Sequence, residues 1–409
     1  MLGADVLRLG QPSADLGPDL GAGRGPVSRP MALPPVDWTL ASGRLGLRAV
    51  AAALLLAAVL AVGTGADEPR PPSRPLVGAI RWDAWTDWDL YANTLAPPEW
   101  YYRLPFYARV LGEGKVEVRC DRGEVMDQEI TYAREAGLDY WAWVWYDPWH
   151  EEATELHMNA CLDIYRASPL RADINYCLIG GSYWSTRHWE DTVACLVAMF
   201  REPNYQKVLG NRPLFYYFMA EVTVAHFGAA ERARAAMDEL RSECVKAGLG
   251  PAYIVGLCFW PDKGARAVDE VGFDAMGSYC NPGGADGKEL PYEQLAGLNR
   301  WFWEECRRTG KPFVPPVNSG WDYRPLIGEQ FPDRDPRGNW YTHATPSELA
   351  AHLKAALSWT RANSSVCQAD TVLVYAWNEF AEGGWICPTL SEGAARLEAI
   401  GSVLNDRGP

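Results

Sequence analysis

The chain has 409 residues, 38 of them basic and 52 acidic, for a net charge of -14. That length admits one large barrel or two to three ordinary domains, and 48% apolar with 22% charged residues is a globular composition. The acidic balance excludes a nucleic-acid footprint and adhesion to anionic lipid.

The chain carries 19 Trp beside 19 Tyr, and flat aromatic faces with a polar edge suit stacking on sugars. The competing account is that large aromatics fill a large core.

In chain order, residues 1–48 are rich in Gly, Pro and Ala without a period, which reads as disordered or as an overextended start, since Met31 could equally initiate. Arg44 and Arg48 precede the apolar run Ala49 to Val62, and Thr64-Gly65-Ala66 supplies small residues for cleavage. Fourteen apolar residues are short for a membrane span but suit a secretory leader. Residues 49–66 therefore predict a signal segment and export, with an uncleaved anchor as the alternative. An acidic, Pro-rich linker fills 67–75. Ten cysteines are an even count, compatible with disulfides in an exported chain. Cys177, Cys258 and Cys280 fall in apolar runs and read as small buried hydrophobes. No pairing is legible, and no pair has zinc-ligand spacing.

From residue 76 to 405, strands and helices alternate. Expected strands are Leu76–Ile80, Leu138–Trp145, Ile174–Ile179, Pro213–Met219, Ala252–Trp260, Phe273–Tyr279, Pro312–Asn318 and Thr371–Tyr375. Helical patterns follow each. Glu124–Ala136 is ended by Gly137, Pro346–Ala362 is opened by Thr345, and Ser391–Asn405 has Ser391 as its expected cap. Eight such units in succession mean parallel pairing through right-handed crossovers and predict a single (β/α)8 TIM barrel. An open doubly wound sheet is the alternative, but no Gly-rich phosphate loop follows the first strand.

In such a barrel the chemistry lies at the C-terminal ends of the strands. Those ends carry Trp82 and Trp85, Trp145 and Tyr146, Trp184, Glu221, Trp321 with Asp322 and Arg324, then Asn378, Glu379, Glu382 and Trp385. Aromatic platforms beside carboxylates, an amide and an arginine make an oligosaccharide cleft the expected site. Trp141 and Trp143 precede the strand end and read as core, whereas Trp145, Trp184 and Trp321 divide evenly between platform and packing. Asp322 and Arg324 could form a structural ion pair or hold the substrate. The last strand, Thr371–Tyr375, is uncharged and reads as buried on both faces. Glu379 and Glu382 leave it three residues apart, a spacing that suits an acid and base pair. Apolar walls and a neighbouring ionised carboxylate both raise a carboxyl pKa; solvated loop acids are the bland alternative.

The run Tyr375-Ala-Trp-Asn-Glu-Phe-Ala-Glu-Gly383 resembles the N-E-W-x-E-G signature of glycoside hydrolase family 99 and its WbsX-type relatives. Further similarity lies in Gly123-Glu-Val-Met126 through Asp139, in Asn204-Tyr205 with Gly210-Asn-Arg-Pro213, and in Ser319-Gly-Trp-Asp-Tyr-Arg324, in colinear order over about residues 76–402. The resemblance implies a (β/α)8 barrel that cleaves glycosidic bonds with retention. By it, Glu379 helps the sugar's own 2-hydroxyl attack the anomeric carbon, giving a 1,2-anhydro sugar. Glu382 is then acid and base for the leaving group and water. Two positions depart from the pattern: Phe380 stands where Trp is usual, and Cys387 where a Glu precedes the Pro. Some WbsX-type relatives carry a glycosyltransferase label, a second reading. A non-catalytic carbohydrate-binding barrel is a third. No metal or organic cofactor is implied, and the expected partner of a monomeric protein is an oligo- or polysaccharide, with membrane contact only if 49–62 is an anchor.

Overall fold

The computed structural model describes residues 74–405, apart from 87–88, 151–156, 329, 332–333 and 335. The expected leader, its cleavage region and nearly all of the linker lie outside the described residues. Among those described, no helix is long and apolar enough to cross a membrane.

Eight strands form one ring: β1 (Leu76–Arg81), β2 (Tyr140–Val144), β3 (Asn175–Gly181), β4 (Arg212–Phe218), β5 (Tyr253–Leu257), β6 (Ala275–Gly277), β7 (Pro316–Asn318) and β8 (Thr371–Tyr375). Every sequential pair from β1 to β6 is parallel, and β8 lies parallel between β7 and β1. The seam between β6 and β7 is bridged where Met276 N–H donates to Pro312 and Val314 N–H donates to Met276, both at 2.9 Å. The barrel is thus nearly closed, as the count of eight units predicts. Between and after the strands run α1 (Gly123–Ala136), α2 (Ala160–Ala167), α3 (Trp189–Phe200), α4 (Ala230–Lys246), α5 (Pro261–Val271), α6 (Tyr292–Arg308), α7 (Pro346–Ala362) and α8 (Ala395–Leu404).

Local chemistry explains most boundaries. All five residues of β8 are buried, as an uncharged β-branched run requires between a packed interior and a helix layer. At α7, Thr345 and Glu348 exchange side-chain bonds in a capping box with Pro346 in the first turn. Gly137 ends α1 in the left-handed region at φ 76°. Ser391 does not cap the last helix: its hydroxyl donates to the Tyr102 carbonyl and α8 begins at Ala395. Pro261 stands in the first turn of α5, where its fixed φ suits the helix.

Two layers of polar contacts hold the barrel. Inside it, the Tyr140 hydroxyl bonds those of Tyr216 and Thr371 at 2.8 Å each. Outside it, under α1 and α2, Arg81 is wholly buried between Asp83 (3.0 Å) and Glu129 of α1 (2.7 Å) and lies over the Trp141 and Trp143 rings. Removing one partner of such a buried ion pair costs about 3–5 kcal/mol, because a charge is left without compensation.

The loops after β7 and β8 are latched together, and this fixes the end of β8. Asp322 N–H donates to the Glu382 carbonyl at 2.7 Å. A Cβ on Gly320 would strike the Gly383 carbonyl, and Gly383 has φ +81° with Asp322 pressed against it. We predict that Gly383→Ala, through the left-handed cost alone, destabilises the barrel by about 1–2 kcal/mol. A lower denaturant midpoint at unchanged slope would show this; an unaltered midpoint would contradict it.

Candidate active site

Beyond Tyr375 the chain runs into a tight hairpin in which Asn378 and Glu379 pair antiparallel with Gly384 and Trp385. Both glutamates therefore ride on one turn. Asn378 anchors that turn. Its Oδ1 accepts from Trp82 N–H (2.9 Å), its Nδ2 donates to Asp83 (2.8 Å), and its carbonyl accepts from Trp85 Nε1 (2.8 Å). With the hairpin held, Glu379 receives the Tyr279 hydroxyl at 2.6 Å from beyond β6. Glu382 receives the Tyr375 hydroxyl at 2.6 Å and the Arg334 guanidinium at 2.7 Å. The Tyr279 and Tyr375 rings meet edge to face, 5.5 Å apart, so the two acids share one aromatic wall.

The charges on the two acids are unequal. Burial pushes the Glu379 carboxyl well above the ordinary glutamate range, and the neighbouring Glu382 charge pushes it further, against the pull of the Tyr279 hydroxyl and Arg334. Glu382 is held in an ion pair with Arg334. Of the two carboxyls, Glu379 is thus the one whose surroundings favour the protonated form. Behind them, burial lifts Asp83 to about 6 despite Arg81.

The other residues expected at the rim separate into those near the pair and those packed away from it. Trp82 is half-buried beside the site, donating to the Tyr146 hydroxyl at 3.0 Å. Trp321 packs 5.9 Å from Tyr375. Asp322 lies between Arg324 and the buried Arg103, so it is a structural ion pair twice over; Arg324 keeps part of its surface in solvent. Four expected platforms are packing residues instead. Trp85 is sealed against Phe380 at 5.2 Å. Trp385 is sealed against His343 at 4.8 Å. Trp184 stacks on Phe215 and meets Trp145 edge-on at 5.4 Å. Their large apolar faces are used up by the barrel and its helices, and Tyr183 is the partly exposed ring after β3. Asn378 is wholly buried in its anchoring bonds and is no substrate contact. Glu221 accepts from the Phe259 and Trp260 N–H groups, tying the loop after β4 to that after β5. Trp377 points outward, donating to Glu129 at 2.9 Å.

Sequence reasoning missed Tyr279, Tyr375 and Arg334 as partners of the acids. Tyr279 ends the expected strand Phe273–Tyr279 and so reads as a rim residue, but its bond to Glu379, 100 positions away, has no local signal. Arg334 lies in an aperiodic Pro- and Asp-rich loop with no local signal. Cys387 does not alter the rim, being buried with its thiol 3.7 Å from Glu129. Among the described residues, Asp83, Cys120 and Cys161 could hold a metal, their ligating atoms lying within 4.8 Å of one another. Asp83, however, is already bonded to Arg81 and Asn378, and the Arg81 charge opposes a cation there.

A family model described as "Glycosyltransferase WbsX" matches residues 171–400. The uncharacterized protein WxcX of Xanthomonas campestris pv. campestris is 23% identical over 357 residues in each of two strains, covering 79% of this chain and 47% of WxcX. The chain thus spans about half the length of the curated relatives it matches. Among solved structures, a glycoside hydrolase-like protein superposes with TM-score 0.57 at 13% identity, over 84% of this chain and 97% of that one. The family 99 endo-alpha-mannosidase of Bacteroides thetaiotaomicron, in complex with BIS-TRIS-propane, gives 0.52 at 13% identity, over 81% and 96%. At these identities the likeness is one of fold.

The raised Glu379 pKa has a consequence for stability. Between the unfolded glutamate value near 4.3 and its higher folded value, the native state binds more protons, so this residue's contribution to stability falls as pH rises. Glu379→Gln should melt above the wild type at neutral pH, with the gain vanishing toward about pH 4. A difference in melting temperature that does not vary with pH would contradict this.

Proposed function

We propose that this chain, which belongs to the family described as glycosyltransferase WbsX, is a glycan-processing enzyme, specifically an exported, retaining glycoside hydrolase working through Glu379 and Glu382. The observation that carries this reading is the pair itself: two carboxyls on one hairpin at the C-terminal mouth of a barrel, one buried against Tyr279 and the other held by Arg334 and Tyr375. A buried carboxyl whose protonated form is favoured, beside a second carboxyl paired with an arginine, suits acid and base work on a glycosidic bond. Trp82, Tyr146, Trp321 and Arg324 are the proposed sugar contacts, an aromatic and charged lining of the kind that binds rings and hydroxyls. Export rests on the apolar segment 49–62.

The resemblance gives Glu382 the proton-donating role and Glu379 the 2-hydroxyl. The Arg334 ion pair favours the converse, with Glu379 as donor, unless an arriving glycan displaces Arg334 from Glu382. Transfer to a sugar acceptor in place of water would use the same pair and accommodate the family's description. A nucleotide-sugar donor has less support, because no Gly-rich phosphate loop follows the first strand; the sequence does carry Asp-x-Asp runs at Asp87-Trp-Asp89 and Asp333-Arg-Asp335, and tight calorimetric binding of a nucleotide sugar would favour this donor.

The test is a screen on a polysaccharide panel with product anomer read by proton NMR. On the cognate glycan, Glu382→Gln and Glu379→Gln should each lose roughly two to four powers of ten in turnover while remaining folded. From a nitrophenyl glycoside of the same sugar, the nitrophenolate departs without needing a proton from the enzyme. The variant lacking the acid should keep its activity on that substrate while the other does not, which assigns the roles. Unchanged turnover of the glycan by both variants would overturn the reading.

A further inference from the structure

Of the ten cysteines, Cys120 and Cys161 have their sulfurs 3.1 Å apart, closer than two unbonded sulfur atoms ordinarily approach. Both are wholly buried. Cys120 lies just before α1, its N–H donating to the Trp85 carbonyl at 2.6 Å, and Cys161 lies in the first turn of α2. The sulfurs belong to the first two strand-and-helix units, next to Arg81 and Asp83 under the barrel wall.

We propose that Cys120 and Cys161 are joined by a disulfide in the oxidised protein, stapling the segment before α1 to α2 across a sequence separation of 41. The proposal is independent of the glycosidase reading. Two sulfurs already in contact need little movement to bond, and cross-links over loops of this length stabilise mainly by restricting the unfolded chain. The oxidant is a small-molecule or protein disulfide. The Cys120 thiolate attacks one of its sulfurs and expels a first thiolate. The Cys161 thiolate then attacks the Cys120 sulfur and expels the second. Two protein protons end on the two departing thiols, and two electrons reduce the oxidant. Burial raises the Cys120 thiol well above its usual range in the folded barrel, so the exchange belongs to folding, before α2 seals the pair.

The test refolds the full chain from the reduced, denatured state in a buffer of reduced and oxidised glutathione. It is then denatured with an alkylating agent but no reductant, digested and mapped by mass spectrometry. The expected result is the Cys120 and Cys161 peptides recovered as one species, lighter by two hydrogens and separated by reductant. The oxidised protein should melt several degrees above the reduced one, a difference that disappears in Cys161→Ala. Recovery of both residues alkylated from cooperatively folded protein would overturn the proposal. So would either cysteine joined to another partner, or one zinc ion bound per chain with both thiols free in native mass spectrometry. Because the mapping uses the wild-type chain, a variant that fails to fold does not remove the test.

Discussion

The hydrogen bonds that hold the Asn378 side chain are the contacts on which the site depends. Asn378 is buried without exposure, and its amide bridges the backbone of Trp82 to the Asp83 carboxylate. It therefore binds the turn after β8 to the end of β1, the strand beside it in the ring. With that turn fixed, Glu379 cannot swing to solvent, and its carboxyl must face Tyr279 and Glu382. A buried polar side chain with its bonds satisfied specifies one geometry, since every alternative leaves donors unpaired at a cost of about 1–3 kcal/mol each.

The helix layer extends this constraint outward. Asp83, which accepts from Asn378, is itself paired with Arg81, and Arg81 reaches Glu129 of α1, which in turn accepts from Trp377. The residues on either side of Asn378 thus serve two purposes: Trp377 anchors the hairpin to the helices and Glu379 faces the cleft. The Trp141 and Trp143 rings cover the Arg81 guanidinium, replacing part of the hydration it lost on burial with cation–π attraction. The charged cluster is outside the barrel and the acid pair is at its mouth, and one asparagine joins them.

The sequence made the barrel legible because strand and helix periods differ and because eight repeats leave few other topologies. It made the acid pair legible because β8 is uncharged until it ends. It did not show which face of a strand meets the cleft. Trp141, Trp143 and Trp145 do share a face, as a period of two demands, but Trp141 and Trp143 meet Tyr165 of α2 and Trp145 meets Trp184. Periodicity gives the sides and leaves open which is inside. Trp85, Trp184 and Trp385 stand at strand ends for the same reason that Trp82 does, yet packing takes the first three. Arg334 was out of reach, since its contact with Glu382 spans 48 residues and arises from no local pattern.

The chain belongs to the family described as glycosyltransferase WbsX and shares the fold of a glycoside hydrolase-like protein, and the chemistry proposed for the barrel mouth rests on a proton held by Glu379. Carbon-13 NMR of protein labelled at the glutamate carboxyl measures this directly, the Glu379 resonance being the one lost in Glu379→Gln. The account predicts that this carboxyl stays protonated well above the ordinary glutamate range. Titration of that resonance at an ordinary glutamate value near 4.3 would contradict it.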